Sequence, residues 1–266
     1  MVQEYTRTSH ILGRGAFSIV YLGKDNYNGR PVAVKSLDIS KYNARRSKYL
    51  EEEIRCMKNL RHPHIVALLG VKRIYGMCDL ILEYCEGGDL SSALTTLETR
   101  KTTMKERNIR RLLVSLASAL SIMKLRNIVH RDIKPGNVLL SSMDIDSCIF
   151  KIGDFTFAKE TESFAETYCG SPLYMAPEVM ERKPYNSSAD IWSLGVLLFH
   201  VTFGEVPFRG RNIFELRDNI TKGRMIIPPK EILRNVPTDV LSVIKGALRN
   251  DPKTRISIEE IMSVKS

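Results

Sequence analysis

The chain has 266 residues, 43% of them hydrophobic, enough to bury a sizeable core and near the length at which one core gives way to two unequal lobes. No apolar run approaches the roughly 20 residues of a membrane-spanning helix, which excludes that class. The formal charge of +10 comes with no aromatic interleaving and no nucleic-acid-binding motif, so nothing raises a specific nucleic-acid binder above a solvated basic surface whose field attracts nucleotide phosphates.

Residues 5–36 alternate apolar and polar side chains around glycine turns, among them Asn28-Gly29, which predicts strands joined by hairpins. Gly13-Arg14-Gly15-Ala16-Phe17-Ser18 falls between two of these strands. Glycines there let backbone amides approach phosphates where a side chain would collide, although the pattern alone also describes an ordinary glycine-rich hairpin. Val32-Ala33-Val34-Lys35 follows, and a lysine inside an apolar strand needs a carboxylate, because an unpaired buried ammonium is costly. Leu50, Ile54, Met57 and Leu60 recur at helical spacing over residues 47–60, a helix that Pro63 is expected to end. Of its Glu51, Glu52 and Glu53, the last precedes Ile54 and lies one turn before Met57, so it shares the inward face. Residues 71–84 read as two further strands, and Glu86-Gly87-Gly88-Asp89 breaks the pattern at an expected lobe boundary.

Residues 109–126 predict a long helix carried by Leu112, Leu113, Leu116, Ala119, Leu120 and Met123. His130-Arg131-Asp132-Ile133-Lys134-Pro135-Gly136-Asn137 then sets a carboxylate, a lysine and a carboxamide at fixed offsets. Phosphoryl transfer to a hydroxyl calls for that set: a proton acceptor, a cation near the moving phosphate and an oxygen ligand for a metal. Asp154, in Asp154-Phe155-Thr156, supplies a second metal ligand. Residues 191–203 are apolar on most sides and therefore central, and 211–222 and 240–248 continue the helical part. Basic residues at Lys41, Arg45, Arg46 and Lys48, and again over 100–111, read as solvated helix faces, with an anionic membrane, nucleic acid or an acidic peptide as alternatives. Cys56, Cys78, Cys85, Cys148 and Cys169 are odd in number and lack metal-ligand spacing. Together with the absence of a signal-peptide layout in Met1-Val2-Gln3-Glu4-Tyr5, they predict reduced thiols in a cytoplasmic protein.

These motifs resemble the catalytic domain of eukaryotic protein kinases over nearly the whole chain. The resemblance implies an α+β, bilobal fold. A β-rich N-lobe with one regulatory helix would occupy residues 1–83, a hinge 83–88, a mainly α-helical C-lobe 89–266, and an activation segment 154–178. It implies ATP and Mg²⁺, with Asp132, Lys134, Lys35 and Glu53 in catalysis and Asn137 and Asp154 on the metal. Lys35 would hold the α- and β-phosphates and Glu53 would hold Lys35. The rest of the nucleotide site would comprise Leu12, Gly13, Gly15, Val20, Ala33, Leu82 as gatekeeper, the backbone of Glu83 and Cys85, and Leu139. Lys134 at its offset resembles the serine/threonine-directed members, and Ser18 stands where the family has a third glycine.

By the same resemblance, Arg131 receives an activation-loop phosphate on Thr167, placed there by an upstream kinase or by trans-autophosphorylation. Ser171 is expected on the catalytic loop, Glu178 on Arg255, and Asp190 as a brace for the loop. The stretch from Cys169 through Pro177-Glu178-Val179, the stretch Glu83-Tyr84-Cys85-Glu86-Gly87-Gly88-Asp89-Leu90 and the long segment 141–149 are similar to the autophagy-initiating kinases. Mitosis-related and calcium/calmodulin-type kinases are the competitors. The implied function is phosphorylation of serine or threonine on protein substrates, in autophagy initiation or stress signalling, with regulatory partners binding outside this chain. Thr156 departs from the family, which has glycine there. A β-branched residue restricts φ. Either it fits the active arrangement, with Phe155 packed beneath Met57 and His130, or it marks a nucleotide-binding pseudokinase scaffold. A small-molecule kinase on the same fold is a third reading.

Overall fold

A computed structural model describes residues 4–15, 18–160, 170–234 and 236–264. The first part is an antiparallel five-stranded sheet in the order β1-β2-β3-β5-β4. Its strands are β1 (Tyr5–Arg14), β2 (Ser18–Asp25), β3 (Pro31–Asp38), β4 (Leu68–Ile74) and β5 (Met77–Glu83), with α1 (Ala44–Lys58) crossing between β3 and β4. Alternate residues of a strand face opposite sides. In β3, Val32 and Val34 pack with Ile81 on one face, while Leu37 meets Leu50 and Ile54 of α1 on the other. Lys35 shares the period of Leu37 and so points to the α1 side.

Helix α1 begins three residues before the expected start at 47, where the Asn43 side chain accepts from the Arg46 amide. It does not run to Pro63. The Asn59 amide reaches back to carbonyls of the last turn, so a capping residue ends the helix before proline has a part. Strand β4 likewise starts at Leu68 rather than 71.

Residues 84–89 lead from β5 into the helical part. There α2 (Leu90–Thr99) and α3 (Glu106–Leu125) are followed by the short strands β6 (Ile128–Val129), β7 (Val138–Leu140), β8 (Phe150–Ile152) and β9 (Lys159–Glu160). After them come α4 (Pro177–Met180), α5 (Ser188–Phe203), α6 (Ile213–Thr221), α7 (Lys230–Arg234), α8 (Thr238–Ala247) and α9 (Ile258–Ser263). The core here joins α3 and α5 through Leu112, Leu116, Leu120, Leu194 and Leu198. A fully buried leucine contributes roughly 1.5–3 kcal/mol relative to an exposed one. A second cluster forms around Trp192 of α5, stacked on Phe208 with centroids 5.8 Å apart. The molecule is therefore an α+β, two-lobed fold. Among the described residues, no helix is long and apolar enough to cross a membrane.

Candidate active site

Two small ladders carry the polar groups of the cleft. Strand β6 pairs with β9, and β7 pairs with β8 in the register Val138↔Ile152. That second hairpin sets Asn137, just before β7, beside Gly153 and Asp154, just after β8. The Gly153 amide donates to the Asn137 carbonyl at 2.8 Å.

The loop 130–134 is held from behind. Asp190, in the first turn of α5, accepts from the His130 amide at 2.8 Å and the Arg131 amide at 2.9 Å. Burial pushes the Asp190 carboxyl up; His130 and Arg131, through their amides and their charge, pull it the other way without cancelling the shift. The brace allows Arg131 its positive φ of 71°. Its guanidinium donates to the Phe157 carbonyl and the Tyr185 hydroxyl.

Asp132 is buried, and its carboxylate is gripped on both oxygens. Oδ2 accepts from Lys134 Nζ at 2.7 Å and Asn137 Nδ2 at 2.9 Å; Oδ1 accepts from the Ser171 amide at 2.9 Å and the Ser171 hydroxyl at 3.0 Å. Lys134 Nζ also donates to Ser171 Oγ at 2.8 Å. The Asn137 amide nitrogen has a second acceptor in the Asp132 carbonyl, at 2.8 Å. With both N–H groups engaged, Asn137 has its amide oxygen left for another partner.

Lys35 meets this group from the sheet. Of the three glutamates of α1, Glu53 is the one that reaches it, Oε1 lying 2.7 Å from Nζ. Glu53 is buried, Glu52 half-buried and Glu51 exposed. Lys35 Nζ also contacts Asp154 Oδ1 at 3.1 Å and Thr156 Oγ1 at 2.7 Å. Burial alone would lower the ammonium's pKa, but the Glu53 and Asp154 carboxylates outweigh it and raise it. For Asp154, burial works upward, while Lys35 and the Thr156 hydroxyl hold the carboxyl well below the usual carboxylate range.

Phe155 is fully buried in the cluster that contains Met57, edge-on to His130 with ring centroids 5.0 Å apart. Thr156 lies in a 3₁₀ turn, Phe155–Phe157, with no left-handed φ; Asp154 takes the left-handed step instead, at φ 53°. The expected restriction of φ is therefore no obstacle here. The hydroxyl of Thr156, as a hydrogen-bonding group, was not foreseen.

Most of the remaining candidates lie on strands of the sheet and on β7. Val20, Ala33, Leu82 and Leu139 are half-buried, whereas their neighbours Val32, Val34, Ile81, Val138 and Leu140 are buried. Leu12, in β1, is exposed. Among the described residues, a Cβ at Gly13 would meet no atom within 4 Å, so packing against them does not require glycine there. Gly15 has Ser18 Oγ as its near neighbour, 3.1 Å from a Cβ placed there. At the hinge, Glu83 pairs with Lys151 of β8 at 2.9 Å, a strut not foreseen from the sequence. Cys85 is buried, and its carbonyl accepts from the Gly88 amide at 3.2 Å. A Cβ on Gly87 would lie 2.1 Å from the Ser142 carbonyl oxygen, so only glycine lets the hinge approach the end of β7 this closely.

Further out, Arg255 makes a two-pronged pair with Glu178, at 2.7 and 2.9 Å, and its guanidinium lies over Trp192. Thr167, Cys169 and the Ala16-Phe17 tip of the glycine turn fall outside the described residues.

The donor chemistry suits a hard divalent cation. Asp154 Oδ2 and the Asn137 amide oxygen are both oxygens, and Mg²⁺ takes one or two protein oxygens together with substrate phosphates. Among the described residues there is no cluster of three or more His, Cys, Asp and Glu side chains for an all-protein metal cage.

The sequence matches the family model described as protein kinase domain over residues 6–265. It is 36% identical over 94% of its length to a serine/threonine-protein kinase, ATG1b, of Arabidopsis thaliana. It is 37% identical over 95% of its length to the serine/threonine-protein kinase ATG1 of Pichia angusta, and 35% identical over 97% to the corresponding protein of Aspergillus clavatus. The matches cover 34%, 36% and 33% of those proteins, so the chain spans about a third of the length of the curated relatives it matches.

Proposed function

The chain belongs to the protein kinase domain family, and we propose that it transfers the γ-phosphoryl group of ATP to serine and threonine hydroxyls of protein substrates. The observation that carries this reading is the Asp132 carboxylate. It is fixed by Lys134 and Asn137 on one oxygen and by Ser171 on the other, so a substrate hydroxyl would meet an oriented proton acceptor.

In this reading Asp132 orients the hydroxyl and takes its proton. Lys134 lies against Asp132 and Ser171, where it offsets charge on the transferring phosphoryl group. Lys35 holds the α- and β-phosphates, and Glu53 holds Lys35. Asn137 and Asp154 hold Mg²⁺, which when bound neutralises phosphate charge. Gly13 and Gly15 admit the phosphates; Leu12, Val20, Ala33, Leu82 and Leu139 enclose the base, and the Glu83 and Cys85 backbone meets its edge. The chemistry is positioning and electrostatics rather than covalent catalysis.

The N-lobe takes residues 1–83, the hinge 83–88, the C-lobe 89–266 and the activation segment 154–178. Thr167 is the regulatory phosphosite, filled by an upstream kinase or in trans by a second copy. The relatives' shared name supports a role in autophagy initiation, in the cytoplasm, with regulatory partners bound by regions beyond the third of those proteins that matches. The alternative of a nucleotide-binding scaffold without turnover lacks support. The relatives are named as serine/threonine-protein kinases, and Lys35 keeps its pair with Glu53 beside Thr156. Mass-spectrometric mapping of phosphorylated protein substrate tests the specificity: phosphate on serine or threonine is expected, and phosphotyrosine alone would contradict it.

A further inference from the structure

The Thr156 hydroxyl sits between Lys35 and Asp154 and has no part in the proton transfer. Its Oγ1 accepts from Lys35 Nζ at 2.7 Å and donates to Asp154 Oδ1 at 2.6 Å. Lys35 Nζ also donates to Glu53 Oε1 at 2.7 Å and Asp154 Oδ1 at 3.1 Å. An ammonium has three N–H donors. All three therefore have acceptors within the protein before any nucleotide is present. Asp154 Oδ1 receives two bonds, and no hydrogen bond from the described residues reaches Oδ2.

Glycine at this position would leave one Lys35 donor without that acceptor and would leave Asp154 Oδ1 with Lys35 alone. The backbone asks for nothing that threonine cannot give. The left-handed step falls on Asp154, and the 3₁₀ turn that follows carries the hydroxyl up to the Lys35 ammonium. The Asp154 side chain is 46% exposed, so without the bond from Thr156 solvent competes for its carboxylate.

We propose that Thr156 is a positioning residue for the metal-binding carboxylate: its hydroxyl fixes Asp154 Oδ1, so that Oδ2 is presented to the cation before nucleotide arrives. The inference rests on the kinase reading of the site. It has two consequences of different sign. Losing the hydroxyl releases the Asp154 carboxylate and weakens the cation's contribution to nucleotide binding. The same loss frees one Lys35 donor for phosphate, so binding without the cation does not suffer.

Valine separates these effects from backbone freedom, because it keeps the β-branch and its φ restriction while removing the hydroxyl. Alanine, read in parallel, removes the hydroxyl without setting a methyl group against Lys35. The experiment is equilibrium binding of a fluorescent ATP analogue, titrated with Mg²⁺, to wild type, Thr156→Val, Thr156→Ala and Thr156→Ser. Removing the hydroxyl is expected to raise the half-saturating Mg²⁺ concentration about tenfold, the scale of one hydrogen bond to a charged group. Cation-free affinity should be equal to wild type or tighter, and serine should stay within about threefold of wild type in both measurements. An unchanged Mg²⁺ dependence in both hydroxyl-free variants, or an equal loss of affinity with and without Mg²⁺, would overturn the inference and leave the kinase reading standing. A wild-type protein that binds no nucleotide would overturn both.

Discussion

Lys35 shows how burial turns one side chain into a constraint on its surroundings. An ammonium in an apolar strand is tolerated only with compensating charge, and Glu53 and Asp154 raise its pKa although burial alone would lower it. Lys35 is accordingly charged throughout the neutral range. Lys35→Met should abolish phosphoryl transfer while leaving the far-ultraviolet circular dichroism spectrum unchanged. Glu53→Gln should act in the same direction more weakly, and Glu52→Gln should stay near wild type. Single-turnover rates would contradict the assignment if Lys35→Met matched wild type, or if Glu52→Gln were the more damaging glutamate change.

Burial, helped by the nearby Glu83 carboxylate, pushes Cys85 up to about 12, and burial pushes Cys56 up to about 11. The thiolate is the reactive form. Neither cysteine should react quickly with iodoacetamide in native protein at pH 8, and both should label on unfolding. Rapid labelling of Cys85 in the native state would show that the hinge is more open than its burial indicates.

At the scale of elements, the Glu178–Arg255 pair ties α4 to the segment before α9. Both side chains are buried, and Arg255 also donates to the Ser188 carbonyl at 2.7 Å. Removing one partner leaves an uncompensated buried charge, which typically costs about 3–5 kcal/mol. Glu178→Gln should lower unfolding stability by that order in a urea titration with an unchanged slope. A loss under about 1 kcal/mol would mean that water or a neighbour replaces the partner.

Elements legible in the sequence were those whose period and ends agreed. Strand β3 alternates between two covered faces, and α3 and α5 carry long apolar patterns, so their existence could be read directly. Helix α2 could not. Its Ser91, Ser92, Thr95 and Thr96 are indifferent helix formers, and its start depends on the Asp89 side chain accepting from the Ser92 amide at 2.9 Å. Helix α9 is too short to show a period, yet its capping box, Ser257 with Glu260, was open to reading. Within the site, Asp132, Lys134 and Asn137 share one loop and were visible as a set. The Thr156 hydroxyl was not, because its meaning depends on β3 and the turn after β8 converging on Lys35. Residue spacing carries no record of that convergence.

At the scale of the molecule, the cleft joins two lobes by polar contacts from opposite sides. Lys35 and Glu53 come from the sheet and its helix; Asp132, Asn137, Asp154 and Thr156 come from the helical lobe and its small ladders. Phe155, buried between Met57 and His130, joins the core beneath them. This assembly has its charged groups paired in the absence of ligand, the condition expected of a preorganised electrostatic catalyst. The most direct test of that claim is single-turnover transfer of γ-phosphate from Mg²⁺-ATP to a protein substrate, comparing wild type with Asp132→Asn. The account predicts transfer by wild type, a loss of at least about a hundredfold in Asp132→Asn, and nucleotide affinity that is similar in the two proteins. Wild-type protein that binds nucleotide yet transfers no more phosphate than Asp132→Asn would contradict it.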